Sequence, residues 1–175
     1  MVCMSAVLHL HHALTERPAE ADCPTVGLRT YQGPSDIDHW LEIRERAFAR
    51  ERVGVGRWTH ADFEREFLAK PWWKPEHLWF AVPVETAAAG KIVGTVTLAR
   101  RGIGATSRPV IHWLAVLPVW RRQGVGRLLV RTLEIACWDS GEREILLETH
   151  AAWARAASLY SAMAYYPVAS SGSQS

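Results

Sequence analysis

The chain is poor in cysteine, with only Cys3, Cys23 and Cys137 in 175 residues. An odd, widely spaced set excludes a closed disulfide framework and a C-x-x-C metal or redox pair, and it suits a reducing, cytoplasmic setting. Nowhere is there an apolar run of the ~18 residues needed to cross a bilayer. The opening "MVCMSAVLHLHHAL" has no basic stretch, and His9, His11 and His12 interrupt its apolar residues, so it does not read as a signal peptide. An excess of one charge is also missing: 20 basic side chains stand against 18 acidic ones, a formal net charge of +2. That balance gives little long-range attraction to nucleic acid or a membrane surface, so an anionic ligand would have to be held by a local site.

What the chain has in quantity is apolar residues, 49% of the total, enough for one sizeable core. The expected organisation is a flexible leader over residues 1–25, one domain over 26–169 and a disordered tail over 170–175. "GLRTYQ" reads as a strand, and "SDIDHWLEIRERAFAR" as an amphipathic helix through Ile37, Trp40, Leu41 and Phe48. Thr59 can cap a second helix, "HADFEREFL". "HLWFAVP", "KIVGTVTLA" and "PVIHWLAVL" are β-rich. "VGRLLVRTLEIACW" is a central helix that buries Val125, Leu129, Leu133 and Ala136 and exposes Arg127, Arg131 and Glu134. "REILLETH" is a buried strand, and "AAWARAASLYSAMAY" a last helix that stops before Pro167. The mobile "HLHH" cluster has no partner in the sequence, and no metal is assigned to it.

Gly-Val-Gly-Arg occurs twice, in "RVGVGRW" (52–58) and in "WRRQGVGRLL" (120–129). The second copy follows a strand and opens a helix, where free backbone N–H groups and the positive end of the helix dipole converge on an anion. Gly124 and Gly126 would let the backbone approach a phosphate, and Arg121 and Arg122 could add charge-assisted hydrogen bonds. The first copy lies between two helices and reads as a flexible connection. A Walker loop is excluded because Arg127-Leu128 stands where Lys and Ser or Thr are required, and a dinucleotide fingerprint because Leu129 occupies its third small position.

"LAVLPVWRRQGVGRLLV" resembles the signature of the GNAT superfamily of acyl-CoA-dependent N-acyltransferases, with Arg121, Gly124 and Gly126 at the fixed positions. "ILLETHAAWARAASLYSAMAYY" is similar to that family's later strand and helix. The resemblance implies an α/β fold of the α+β type, a central, mostly antiparallel twisted sheet flanked by helices. It implies acetyl-CoA as co-substrate, with the pyrophosphate cradled by Arg121, Arg122, Gln123, Gly124, Val125, Gly126 and Arg127. The pantetheine arm would run beside Leu114, Ala115 and Val116, where a backbone amide at a bulge would polarise the thioester carbonyl. The implied reaction is acetyl transfer to a primary amine of a small molecule or protein N-terminus by direct attack. A free alkyl amine is mostly protonated at neutral pH and needs a base. Glu148 or His112 is the candidate, and Tyr160 the acid for the departing thiolate. Glu148 could instead simply pair with an arginine, and His112 be an ordinary strand histidine.

Three departures from the family stand out. Trp153 replaces an asparagine that contacts the cofactor, and Ala164-Tyr165 replaces the usual Gly-Phe at the end of the last helix. Too few residues follow Tyr165 for the closing strands, which would leave an exposed sheet edge, open to a homodimer. They keep a second reading in view, an acyl-CoA-binding sensor or interaction module on the same fold.

Overall fold

In the computed structural model, described over residues 7–51, 55–85 and 91–168, the strands align in one sheet. They are β1 (Val7–Ala13), β2 (Val26–Thr30), β3 (Leu78–Pro83), β4 (Gly94–Arg101), β5 (Arg108–Val116), β6 (Glu144–His150) and β7 (Tyr166–Pro167). Their order is β2-β3-β4-β5-β6-β1-β7. Only the β5–β6 pair is parallel; every other neighbour pair is antiparallel. The helices are α1 (Ser35–Phe48), α2 (His60–Phe63), α3 (Val125–Asp139) and α4 (Ala154–Ala162). β4 is buried from Gly94 to Ala99 because both α1 and α3 pack on it. A strand covered on both faces can be apolar throughout rather than alternating. None of the described helices is long and apolar enough to cross a membrane.

Residues 7–13 correct the expectation of a flexible leader. They form β1, registered antiparallel along all of β6 from Val7↔His150 to Ala13↔Glu144. The edge of β6 that argued for a homodimer is thus covered by the chain's own N-terminal segment, and the two-residue β7 pairs on its far side. Leu10, on the inner face, is buried. The tail at 170–175 lies outside the described residues, as do 52–54 of the first Gly-Val-Gly-Arg copy.

Two helix expectations also change. Glu134 is fully buried rather than exposed, because the C-terminal segment folds over that face of α3. Its carboxylate accepts from Tyr165 Oη (2.9 Å) and Arg131 Nη1 (2.8 Å), and Tyr165 in turn lies against the ring of His12 on β1 (4.9 Å). The second helix starts as expected, with Thr59 and Asp62 forming a reciprocal capping box, but its hydrogen bonding widens to a π turn over Glu64–Leu68. α4 ends with Ala164 in the left-handed region (φ 63°), and Tyr165 N donates to Tyr160 O (2.9 Å) as in a Schellman cap. The cap therefore forms without glycine, at a cost on the order of 1 kcal/mol.

Candidate active site

The site originates where two parallel strands part. β5 and β6 are registered only at Val110↔Leu146 and Ile111↔Leu147. Just beyond, β5 bulges against β4: Thr97 faces His112 and Thr95 faces Ala115, so Trp113 and Leu114 together oppose Val96. Trp113 reaches this geometry with φ 51°, a left-handed conformation unusual for a bulky residue. Between the diverging strands opens a cavity of about 950 Å³. One end is the turn before α3, and its walls include Leu114, Ala115, Val116, His112, Glu148 and Tyr160.

At the turn, a short 3₁₀ segment, Pro118–Trp120, leads into Arg122 (φ 60°) and Gly124 (φ 87°), after which α3 begins with no side chain capping its first amides. Those amides and the helix dipole are left available to an anion. Gly126 serves packing as well: a Cβ there would sit 3.1 Å from Leu159 Cδ2 of α4. Arg122, Gly124, Gly126 and Arg127 line the cavity, whereas Gln123 and Val125 do not. Val125 is buried in the core, and Gln123 Nε2 donates back to Val119 O (2.8 Å). Arg121 lines the cavity, but its guanidinium is already committed. Nε donates to Val116 O (3.0 Å), Nη2 to Ala47 O (2.6 Å), and Nη1 lies 3.5 Å from Glu51. Arg121 therefore ties the end of β5 to the end of α1 rather than standing free for phosphate. The leader helps too, since the Cys23 thiol donates to Gln123 O at 3.2 Å.

The three candidate catalytic side chains share the cavity but differ in environment. Tyr160 is buried, and burial raises its phenol well above the ordinary range, so it stays protonated. His112 sits among Phe67 (5.4 Å), Trp113 (5.9 Å) and Trp72 (6.0 Å). Burial there pushes its pKa down to about 4, leaving a neutral imidazole at pH 7. Glu148 receives a hydrogen bond from Arg101 Nη1, which lowers its pKa and keeps it a carboxylate. The pairing with an arginine weighed from sequence is thus present, at a residue that also faces the cavity.

Sequence reasoning missed Arg101 and Arg155, both on the cavity wall. Arg101 falls in no motif, and Arg155, inside the later family-like stretch, becomes visible as a wall residue only when α4 is placed. Trp153, at the position of the family's asparagine, lines the cavity and packs on Phe48 of α1 at 4.9 Å. The aromatic segment after α1 packs mainly against the core: Trp58, Trp72 and Trp73 cluster with the fully buried Trp40, Phe63 and Phe67. Arg44, also unforeseen, is buried between Trp58 (4.3 Å) and Trp113 (4.4 Å) and donates to Gly56 O (2.7 Å).

Residues 37–165 match the Acetyltransferase (GNAT) family. The chain belongs to that family. Among curated relatives, a mycothiol acetyltransferase of Mycobacteroides abscessus is 29% identical over 129 residues, 74% of this chain and 42% of the relative. A second, from Mycobacterium sp. (strain MCS), is 35% identical over 88 residues, 50% of this chain and 28% of the relative. The chain thus spans less than half the length of these relatives. In fold it is similar to a GCN5-related N-acetyltransferase from Sphaerobacter thermophilus, with a TM-score of 0.73 and 21% identity over 93% of this chain and 48% of the other. It is also similar to NAA60 of Arabidopsis thaliana, solved with a bisubstrate analogue, at TM-score 0.62 and 21% identity over 82% of this chain and 85% of the other. The mixed sheet flanked by helices is the GNAT architecture.

Proposed function

We propose that this GNAT protein is an N-acetyltransferase that moves the acetyl group of acetyl-CoA to a primary amine by direct attack in a ternary complex. The observation that carries the reading is the continuity of one cavity, from the uncapped, glycine-led start of α3 to Tyr160, His112 and Glu148. The residues fit a pyrophosphate. Gly124 presents no Cβ, the first amides of α3 have no side-chain acceptor, and exposed Arg122 and Arg127 flank them. Leu114, Ala115 and Val116 border the stretch where pantetheine would lie.

Acetyl-CoA supplies an activated thioester. Around it, the backbone of the β5 bulge offers a fixed amide for the carbonyl oxygen, the kind of preorganised donor that stabilises developing negative charge. Glu148, held ionised, accepts the proton that the amine nitrogen gives up as the C–N bond forms, directly or through water. Tyr160, kept protonated by burial, donates its hydroxyl proton to sulfur as the C–S bond breaks. Protonating the neutral imidazole of His112 would place a cation in a largely desolvated setting, so Glu148 is preferred as base. An α-amine, with a pKa of about 8, asks less of that carboxylate than an alkyl amine with a pKa of roughly 10.

The test is calorimetric titration with acetyl-CoA, followed by thiol release with a panel of amines. The relatives' names suggest the panel: a mycothiol-type amine, an aminoglycoside and a peptide N-terminus. Tyr160→Phe is expected to lower turnover at least about 100-fold with the acetyl-CoA Kd nearly unchanged. Gly124→Val, at a left-handed position, is expected to weaken acetyl-CoA binding more than about tenfold. Binding without release by any amine would favour the binding-module reading, and unchanged affinity in Gly124→Val would remove the phosphate turn.

A further inference from the structure

The N-terminal "HLHH" segment is the part of the sequence for which the family resemblance has no use, yet it lies beside the candidate base. In β1, His9 is registered opposite Glu148 of β6, and its Nδ1 lies 3.3 Å from Glu148 Oε1. Arg101, from the end of β4, donates to the same oxygen. His11, two residues along the same strand, makes the equivalent approach to Glu144 (3.4 Å), which is not on the cavity wall. His12 points to the other face and contacts Ala164 O at 3.0 Å.

We propose that His9 is a positioning residue for the acyl-transfer reaction: with Arg101 it fixes Oε1 of Glu148 and leaves Oε2 to accept the proton of the incoming amine. The proposal rests on the reading of Glu148 as the base. A carboxylate hinged at the end of a flexible side chain presents either oxygen in many orientations; a donor from Arg101 and a second polar contact from His9 on the same oxygen select one. The charged or titratable groups that face Glu148 come from three strands: Arg101 of β4, His112 of β5 and His9 of β1. Of these, the hydrogen bond from Arg101 does most to hold the carboxylate ionised. The strand that closes the sheet would thereby also complete the site, which makes the N-terminal segment part of the catalytic apparatus.

The experiment compares His9→Ala, His9→Asn, His11→Ala and Glu148→Gln in the full chain. It measures kcat and KM for the amine between pH 6 and 9, the Kd for acetyl-CoA, and the urea midpoint. His9→Ala should lower kcat/KM about tenfold, with the acetyl-CoA Kd unchanged. Asparagine at position 9 keeps a donor near the site of Nδ1 and should restore most of the rate. His11→Ala, which has the same strand context, should match wild type in rate and profile and controls for damage to β1. If His9→Ala behaves like His11→Ala while Glu148→Gln is inactive, the role of His9 falls and the base assignment stands. If Glu148→Gln is fully active, both fall.

Discussion

At the scale of single residues, burial and pairing move the titrations of several side chains away from their ordinary ranges, and His112 is the most consequential. Its imidazole is packed against Phe67, Trp72 and Trp113, and burial lowers its pKa from 6.5 to about 4. As pH falls from 6.5 the unfolded chain takes up the proton first, so stability is lost down to about pH 4. One proton over that interval is worth about 3 kcal/mol. Urea denaturation at a series of pH values should show that loss in the wild type, and His112→Phe should remove this component of the slope. An unchanged slope in the variant would mean that His112 is not the buried neutral group described here. The placement of Tyr160 and Glu148 on one cavity was legible in the sequence because both sit at fixed places in a local motif. The commitment of Arg121 to Val116 O and Ala47 O was not, because it depends on α1, which lies far away in sequence.

At the scale of elements, the turn at Gly124 and α3 could be read from the chain because strand, turn and helix are contiguous there, and glycine and periodicity report local geometry directly. The bulge in β5 was expected from the family resemblance, but its left-handed Trp113 carries no residue-type signal. β1 was overlooked for a physical reason. Its strand character rests on a short alternation, Leu8 and Leu10 against His9 and His11, and histidine is not a strong strand former. What stabilises it is pairing with β6 at the other end of the chain. Deleting residues 1–13 would expose the edge of β6 and uncover the Glu134–Tyr165 pair. The buried Leu10 alone is worth roughly 2 kcal/mol. The expected outcome is a loss of about 2 kcal/mol or more in urea denaturation, with association visible by light scattering as bare strand edges meet. A truncated protein that stays monodisperse with the wild-type midpoint would show that β1 is dispensable to the fold.

At the scale of the whole molecule, the cavity links two halves of the sheet that share only a short ladder. α1 and α3 brace β4 and β5 on one side of the split, while β6, β1 and α4 lie on the other. A ligand lying between them and binding only the folded state adds its own free energy to folding, about 2.7 kcal/mol at a concentration 100 times its Kd. Coenzyme A titrated into the protein should raise the melting temperature accordingly, and hydrogen exchange should slow at the first amides of α3. Stabilisation without protection at those amides would place the ligand elsewhere. The covering of β6 by β1 also has a consequence for the order of events during synthesis. β1 is made well before its partner β6, so it must wait, unpaired, while the elements between them are translated. Completion of the sheet is a late, non-local step.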